Sequence, residues 1–266
     1  MRSRRRPAGA SAVRTLTYHD VVARDRREQV GFAGALAARY KLEPDLFERH
    51  LEALAATDLQ VRPLDAGAPP SALTLTFDDG GGSGIEVAGV LERRGWRGQF
   101  FVTTGRLDSP GFLSSEQVAE LARRGHLIGS HSHTHPTYMG RLAKQQLEFE
   151  WTESRALLAQ ILGEPPRTAS VPGGYLSPRV IETAADAGYE LLFTSEPTAR
   201  VRTARLVVRG RYTIWATTAA AAAAGYARGD PLACGRLWLE WNAKKLAKRI
   251  NPSAYQALRR VRARKR

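Results

Sequence analysis

The chain has 266 residues, 43% hydrophobic and 25% charged, a globular composition that argues against wholesale disorder and suits one large or two small domains. Its 40 Lys+Arg against 26 Asp+Glu give a formal charge of +14, but residues 2–6 hold four arginines and residues 236–266 hold eleven basic residues against Glu240 alone, leaving 25 basic and 25 acidic residues in 7–235. The body is neutral between two basic ends, which speaks against specific nucleic acid recognition by a folded surface, and the single Cys234 excludes an intrachain disulfide or a thiolate zinc cluster.

Residues 1–12 read as a basic tail without the apolar stretch of a signal peptide. The most weakly polar run, Ala216 to Ala227, is far too short to span a bilayer, so a cytoplasmic chain is expected. From 13 to 216, short β-type runs alternate with helical patterns, as in a mostly parallel sheet wrapped by helices. The first run is Val13 to Tyr18, and the clearest is Leu73 to Phe77, closed by Asp-Asp-Gly-Gly-Gly. Ser83 with Glu86 reads as a capping box for a helix that Gly95 stops. Gln99 to Thr103 is the next strand, and Ser114 with Gln117 caps a helix ending at Gly125.

Leu127 to Ser130 runs straight into His131, and a long amphipathic helix covers about 142–162. Ala169 to Val171 is a brief strand, Ser177-Pro178 opens a helix that Gly188 closes, and Leu191 to Thr194, Leu206 to Val208 and Thr213 to Ala216 complete about seven or eight strands. That count suits a distorted (β/α) barrel spanning 13–216, with 217–266 as a helical, basic C-terminal appendage.

Unusual polar residues fall at the C-terminal ends of these strands, where α/β barrels place their sites. Asp78 and Asp79 are adjacent carboxylates, which repel unless one binds a cation or both are solvated. His131 and His135 are spaced i, i+4 and converge on one ion if the segment begins a helical turn. A carboxylate with two imidazoles makes a three-ligand site with open positions, and leaves the second carboxylate free as a general base. Each piece alone has a plainer reading: Asp-Asp-Gly as a turn, paired histidines as exposed residues, His19 as a hydrogen-bonded rim residue. Their conjunction, one βα unit apart at one rim, favours chemistry.

The stretches ALTLTFDDG, GQFFVTTG and GHLIGSHSHTHP, with LTYHDVV before them, resemble the polysaccharide deacetylases, the NodB-homology or carbohydrate esterase family four enzymes, over about 13–216. The resemblance implies a divalent metal, most often zinc, held by Asp79, His131 and His135, with Asp78 as base in hydrolysis of an N-acetyl group on an amino sugar. It also implies a substrate containing N-acetylhexosamine, a polysaccharide or its precursor, against a wall of Pro172, Gly173, Gly174 and Tyr175. Two departures stand out. Ser170 occupies the place of a base-orienting arginine, and the late Leu-x-His is absent from RGRYTIWATT. The general acid therefore stays open among His19, Asp20 and His133. Deacylation of another amide or an O-acetyl ester, and a catalytically silent sugar-binding relative, are the alternatives.

The segment GRLWLEWNAKKLAKRI sets tryptophans and leucines beside lysines. It reads either as a helix packed on the barrel with a solvated basic face or as a basic amphipathic helix on an anionic membrane, with 236–266 as the contact.

Overall fold

The computed structural model describes residues 13–65, 72–174, 176–199, 201–203 and 205–250. Among these residues ten strands form one sheet: β1 (Arg14–Tyr18), β2 (Gln60–Val61), β3 (Ala72–Phe77), β4 (Gln99–Val102), β5 (Leu127–Ser130), β6 (Thr168–Ser170), β7 (Leu191–Phe193), β8 (Val201–Thr203), β9 (Val207–Arg209) and β10 (Tyr212–Thr213). Their order is β10-β1-β3-β4-β5-β6-β7-β9-β8, with β2 beside β3. Every pairing is parallel except β8 with β9. The described strands exceed the expected seven or eight because β2 and β8, only two and three residues long, carry little sequence signal, whereas β10 falls at the start of the expected Thr213 to Ala216 run.

The chain passes from β9 to β10 through Gly210 and Arg211 alone, which draws the two ends of the sheet path together and curls it into a half-barrel. Gly210 fits because a Cβ there would lie 2.2 Å from the Glu196 carbonyl oxygen. Strands buried on both faces need apolar or hydroxyl side chains throughout, and β3 supplies them. Leu73, Leu75 and Phe77 join the main core, while buried Thr76 donates its hydroxyl to the Leu16 carbonyl at 3.0 Å. Phe77 stacks on Phe100 with ring centroids 4.9 Å apart and on Tyr18 at 5.6 Å. Each fully buried ring or leucine contributes about 1.5–3 kcal/mol.

Among the described residues seven α-helices surround the sheet: α1 (Pro44–Ala55), α2 (Gly84–Glu92), α3 (Ser115–Arg123), α4 (Lys144–Leu162), α5 (Pro178–Asp186), α6 (Ala220–Arg228) and α7 (Pro231–Ile250). The Ser114–Gln117 capping box forms, and Ser177 caps α5 with Pro178 at its first position. The expected box at Ser83 does not form: its hydroxyl donates to Asp20 Oδ1 at 2.7 Å and accepts from Val21 N, so a tertiary contact displaces the local cap. Helix α1 was not anticipated from the sequence; it buries Phe47, His50, Leu51 and Leu54, and α6 packs against it.

Candidate active site

The C-terminal ends of β1, β3, β5 and β6 bring the predicted residues to one rim. Asp78 continues the β3 ladder, its N–H donating to the Tyr18 carbonyl at 3.0 Å. Asp79 then turns into the left-handed region at φ 79°, followed by Gly80 at φ 73°, where a Cβ would lie 3.2 Å from Val102 Cα. This reversal aims the two neighbouring carboxylates differently.

Asp79 Oδ1 lies 3.4 Å from His131 Nε2 and 3.4 Å from His135 Nε2, and one ligand atom from each of the three falls within 4.8 Å of the others. Tetrahedral metal bonds of about 2.0–2.1 Å separate neighbouring donor atoms by roughly 3.3–3.4 Å, so both oxygen–nitrogen separations match those around a divalent ion. The histidines do not converge along a helical turn as expected. Ser132 at φ 63° and His135 at φ 59° are both left-handed, and the loop folds back on itself. Glu150 of α4 holds that fold: its carboxylate accepts from His133 N at 2.9 Å, Thr134 N at 2.8 Å and the Thr134 hydroxyl. His131 Nδ1 sits 3.0 Å from the Ser170 carbonyl oxygen, the outer contact that fixes a ligating imidazole with Nε2 turned inward.

Asp78 is held by a residue that sequence reasoning missed. Arg211, fully buried, donates Nη1 to Asp78 Oδ1 and Nη2 to Oδ2, both at 2.7 Å. Its remaining donors reach Thr76 Oγ1, the Thr194 carbonyl and Ser170 Oγ at 3.1, 3.2 and 2.6 Å. Phe101 and Phe193 flank the guanidinium with ring centroids 5.5 and 5.7 Å away. Burial pushes the Asp78 pKa upward, but the Arg211, His131 and His19 charges outweigh it and hold the carboxyl below its ordinary range. Asp79, also raised by burial, is held well below that range by hydrogen bonds to His131 and His135. Burial lowers His135, but Asp79 more than compensates and its pKa is raised.

His19 follows β1 and faces this centre, within electrostatic reach of Asp79, Asp78 and His131. Burial lowers its pKa, and its buried Nδ1 has no hydrogen-bond partner among the described residues. Its ring packs on Tyr40 at 4.5 Å, and Tyr40 stacks on Trp215 at 4.6 Å. His133 lies outside the ligand cluster, with Nδ1 3.0 Å from Thr104 Oγ1 and its ring edge-on to Phe149. Asp20 turns to Ser83. Pro172 is buried, and Gly173 and Gly174 take positive φ of 62° and 69°; at Gly174 a Cβ would lie 2.7 Å from Ser195 Cβ. Tyr175 lies outside the described residues.

On the far side of the cluster, the loop between β1 and α1 brings Phe32 within 4.7 Å of the His135 ring. Lys41 anchors that loop, its ammonium donating to the carbonyls of Arg27, Val30 and Phe32 at 2.5–2.6 Å.

A parallel α/β half-barrel with a carboxylate–imidazole cluster on its C-terminal rim and a buried carboxylate–arginine pair beside it is an enzyme scaffold. Residues 65–192, just under half of the chain, match the family profile described as polysaccharide deacetylase. It is 30% identical over 129 residues to the polysaccharide deacetylase-type protein YxkH of Bacillus subtilis, covering 48% of this chain and 46% of that one. It is 27% identical over 125 residues to a peptidoglycan-N-acetylglucosamine deacetylase of Bacillus cereus, covering 46% and 56%. The chain thus spans about half the length of these relatives. In fold it is similar to the BA0330 protein of Bacillus anthracis, with a TM-score of 0.68, 21% identity, and 82% and 69% of the two chains covered.

Proposed function

We propose that the protein is a metal-dependent N-deacetylase that hydrolyses the acetamide of N-acetylhexosamine units in a polysaccharide or its precursor, releasing acetate and the free amine. The observation that carries this reading is the Asp79–His131–His135 cluster beside a base, Asp78, clamped by Arg211. Asp79, His131 and His135 would hold a divalent ion, zinc by the chemistry of the donors, which when bound supplies Lewis-acid polarisation of the amide carbonyl and acidifies water.

Asp78 takes the proton of the attacking water as its oxygen bonds to the carbonyl carbon. Arg211 keeps that carboxylate ionised and aimed, and the Ser170 hydroxyl, 3.3 Å from Asp78 Oδ2, supports it. As the C–N bond breaks, the departing nitrogen needs a proton. Among the three candidates, His19 faces the centre, whereas His133 is engaged with Thr104 and Asp20 with Ser83. We assign the general acid to His19. Gly173 and Gly174 let the sugar approach the main chain beside Pro172. The name of the Bacillus cereus relative supports N-acetylglucosamine glycans as the substrate class.

The test is acetate release from N-acetylated oligosaccharides and lipid-linked sugars with stoichiometric zinc, with Asp78→Asn as control. Release lost in the control supports the reading. A metal-loaded protein that releases no acetate yet binds the oligosaccharides is instead a sugar-binding relative, and release from O-acetyl esters alone makes it an esterase.

A further inference from the structure

We propose that α7 is a docking helix for an anionic lipid surface, and that it holds the protein with its catalytic rim facing away from that surface. Four large hydrophobic side chains are exposed among the described residues, and three are on this helix: Leu232 at 85%, Leu239 at 64% and Trp238 at 47%. Leu232 and Leu239 are seven residues apart and share one stripe of the helix. Leu237, on the opposite side, is 8% exposed and joins the main core. The helix therefore has two apolar faces, and the body of the protein covers only one.

The start of this element is firmly anchored. Gly229 ends α6 at φ 74°, and Asp230 then caps α7, its carboxylate accepting from the backbone of Leu232 and Ala233 at 2.8 and 3.0 Å. Charge selects the occupant. Residues 236–266 hold eleven basic residues and one acidic one, and the spacing of the leucines continues in the sequence at Leu246 and Ile250. An exposed leucine stripe flanked by Lys and Arg is the pattern of a helix lying in a lipid interface, where basic residues near the surface are drawn to anionic headgroups. Two such helices from two copies repel each other, and a phosphate backbone offers the leucines nothing. No helix among the described residues is long and apolar enough to cross a membrane, so α7 lies on the surface.

The orientation follows from strand direction. A Cβ at Gly229 would fall 1.9 Å from Nη2 of Arg14, the first residue of β1, whereas Asp78 and His131 follow the last residues of β3 and β5. Because β1, β3 and β5 run parallel, α7 starts at the rim opposite the site. Cys234, Arg236 and Glu240 all remain within electrostatic reach of Tyr226 in the last turn of α6, so the helix crosses that end instead of rising toward the site. A bound protein then presents its catalytic rim to the surrounding solution, accessible to a polymer.

The full chain is sedimented with vesicles of phosphatidylcholine alone and mixed with phosphatidylglycerol, and compared with the Leu232→Ser/Leu239→Ser double variant. Both positions are exposed, so the fold survives, which an unchanged melting curve verifies. Expected are binding confined to the anionic vesicles, weakening with salt, and roughly tenfold or greater loss in the variant. Brominated phosphatidylglycerol should quench tryptophan fluorescence less in Trp238→Phe and equally in Trp215→Phe, since Trp215 stacks on Tyr40, which packs on His19 at the catalytic rim. Equal binding to neutral vesicles, full binding by the double variant, or quenching carried by Trp215 overturns the proposal. So does a dimer in ultracentrifugation that the double variant abolishes, which would make a second copy the occupant.

Discussion

Arg211 and Asp78, 133 residues apart in the chain, meet through two parallel N–H to oxygen bonds of 2.7 Å in a fully buried pocket. The Ser170 hydroxyl bridges them, accepting from Arg211 and donating to Asp78. The guanidinium arrives from the short connection between β9 and β10 and supplies the charge beside Asp78 that the residue at 170, a serine, does not.

Removing that charge should cost both activity and stability. Arg211→Met leaves Asp78 buried without its counter-ion, so stability should fall by roughly 3–5 kcal/mol. Turnover should fall on the order of 10²-fold, with KM nearly unchanged, because base function is lost while sugar contacts are not. Arg211→Lys restores the charge but not the fork and should recover only part. The decisive variant is Ser170→Arg in an Arg211→Ala background: turnover at least tenfold above Arg211→Ala means that location is interchangeable and charge is essential. Wild-type turnover in Arg211→Met would refute the role.

The carboxylate–imidazole cluster was legible from sequence because its parts are local: two adjacent carboxylates at one strand end and two histidines four apart at another. The backbone route was not, since the loop with left-handed φ at Ser132 and His135 is braced between them by Glu150, which comes from the distant α4. Arg211 had no local signal beyond an arginine between two short strands, and only closure of the sheet through Gly210 and Arg211 aims it inward. The Ser83 box failed for the same reason, a distant carboxylate displacing a local cap. Helix α1 did carry a readable pattern, with Pro44 at its first turn and Phe47, His50, Leu51 and Leu54 on one face.

Zinc binding should depend on the support behind the ligands as well as on the ligands themselves. Asp79→Ala and His131→Ala should abolish binding of one ion per chain, measured by calorimetry on metal-stripped protein. Glu150→Gln loses charge-assisted bonds to the 133–134 backbone and should weaken affinity roughly 10–100-fold without touching the ion. Undiminished affinity in Glu150→Gln would show that the loop holds its turn unaided.

His19→Gln separates proton delivery from binding. Turnover should drop on the order of 10²-fold with KM retained, and the limb of the kcat profile that falls with rising pH, which burial of His19 moves below the ordinary imidazole range, should vanish because it reports loss of the His19 proton. A limb that persists in His19→Gln assigns it to another group.

Asp20 gives a stability signature of defined sign. Its carboxylate is socketed where a Cβ on Gly31 or Gly81 would stand, 2.1 and 2.0 Å from its oxygens, and it pins the loop after β1 to the Asp-Asp-Gly turn through Ser83. Burial raises its pKa to about 6, against the hydrogen bond from Ser83, whereas the unfolded value is about 3.9. Between those values the folded chain keeps a proton that the unfolded chain has released, so stability falls as pH rises through the window and levels off above about 6. Two units amount to about 3 kcal/mol at most. Asp20→Asn, which cannot ionise, should remove this slope and be more stable than wild type at pH near 7 by about 1–3 kcal/mol, with the difference shrinking toward pH 4. Urea unfolding of both proteins across the window measures it. Parallel curves would mean that Asp20 titrates alike folded and unfolded, and that its socket between the glycines does not desolvate it.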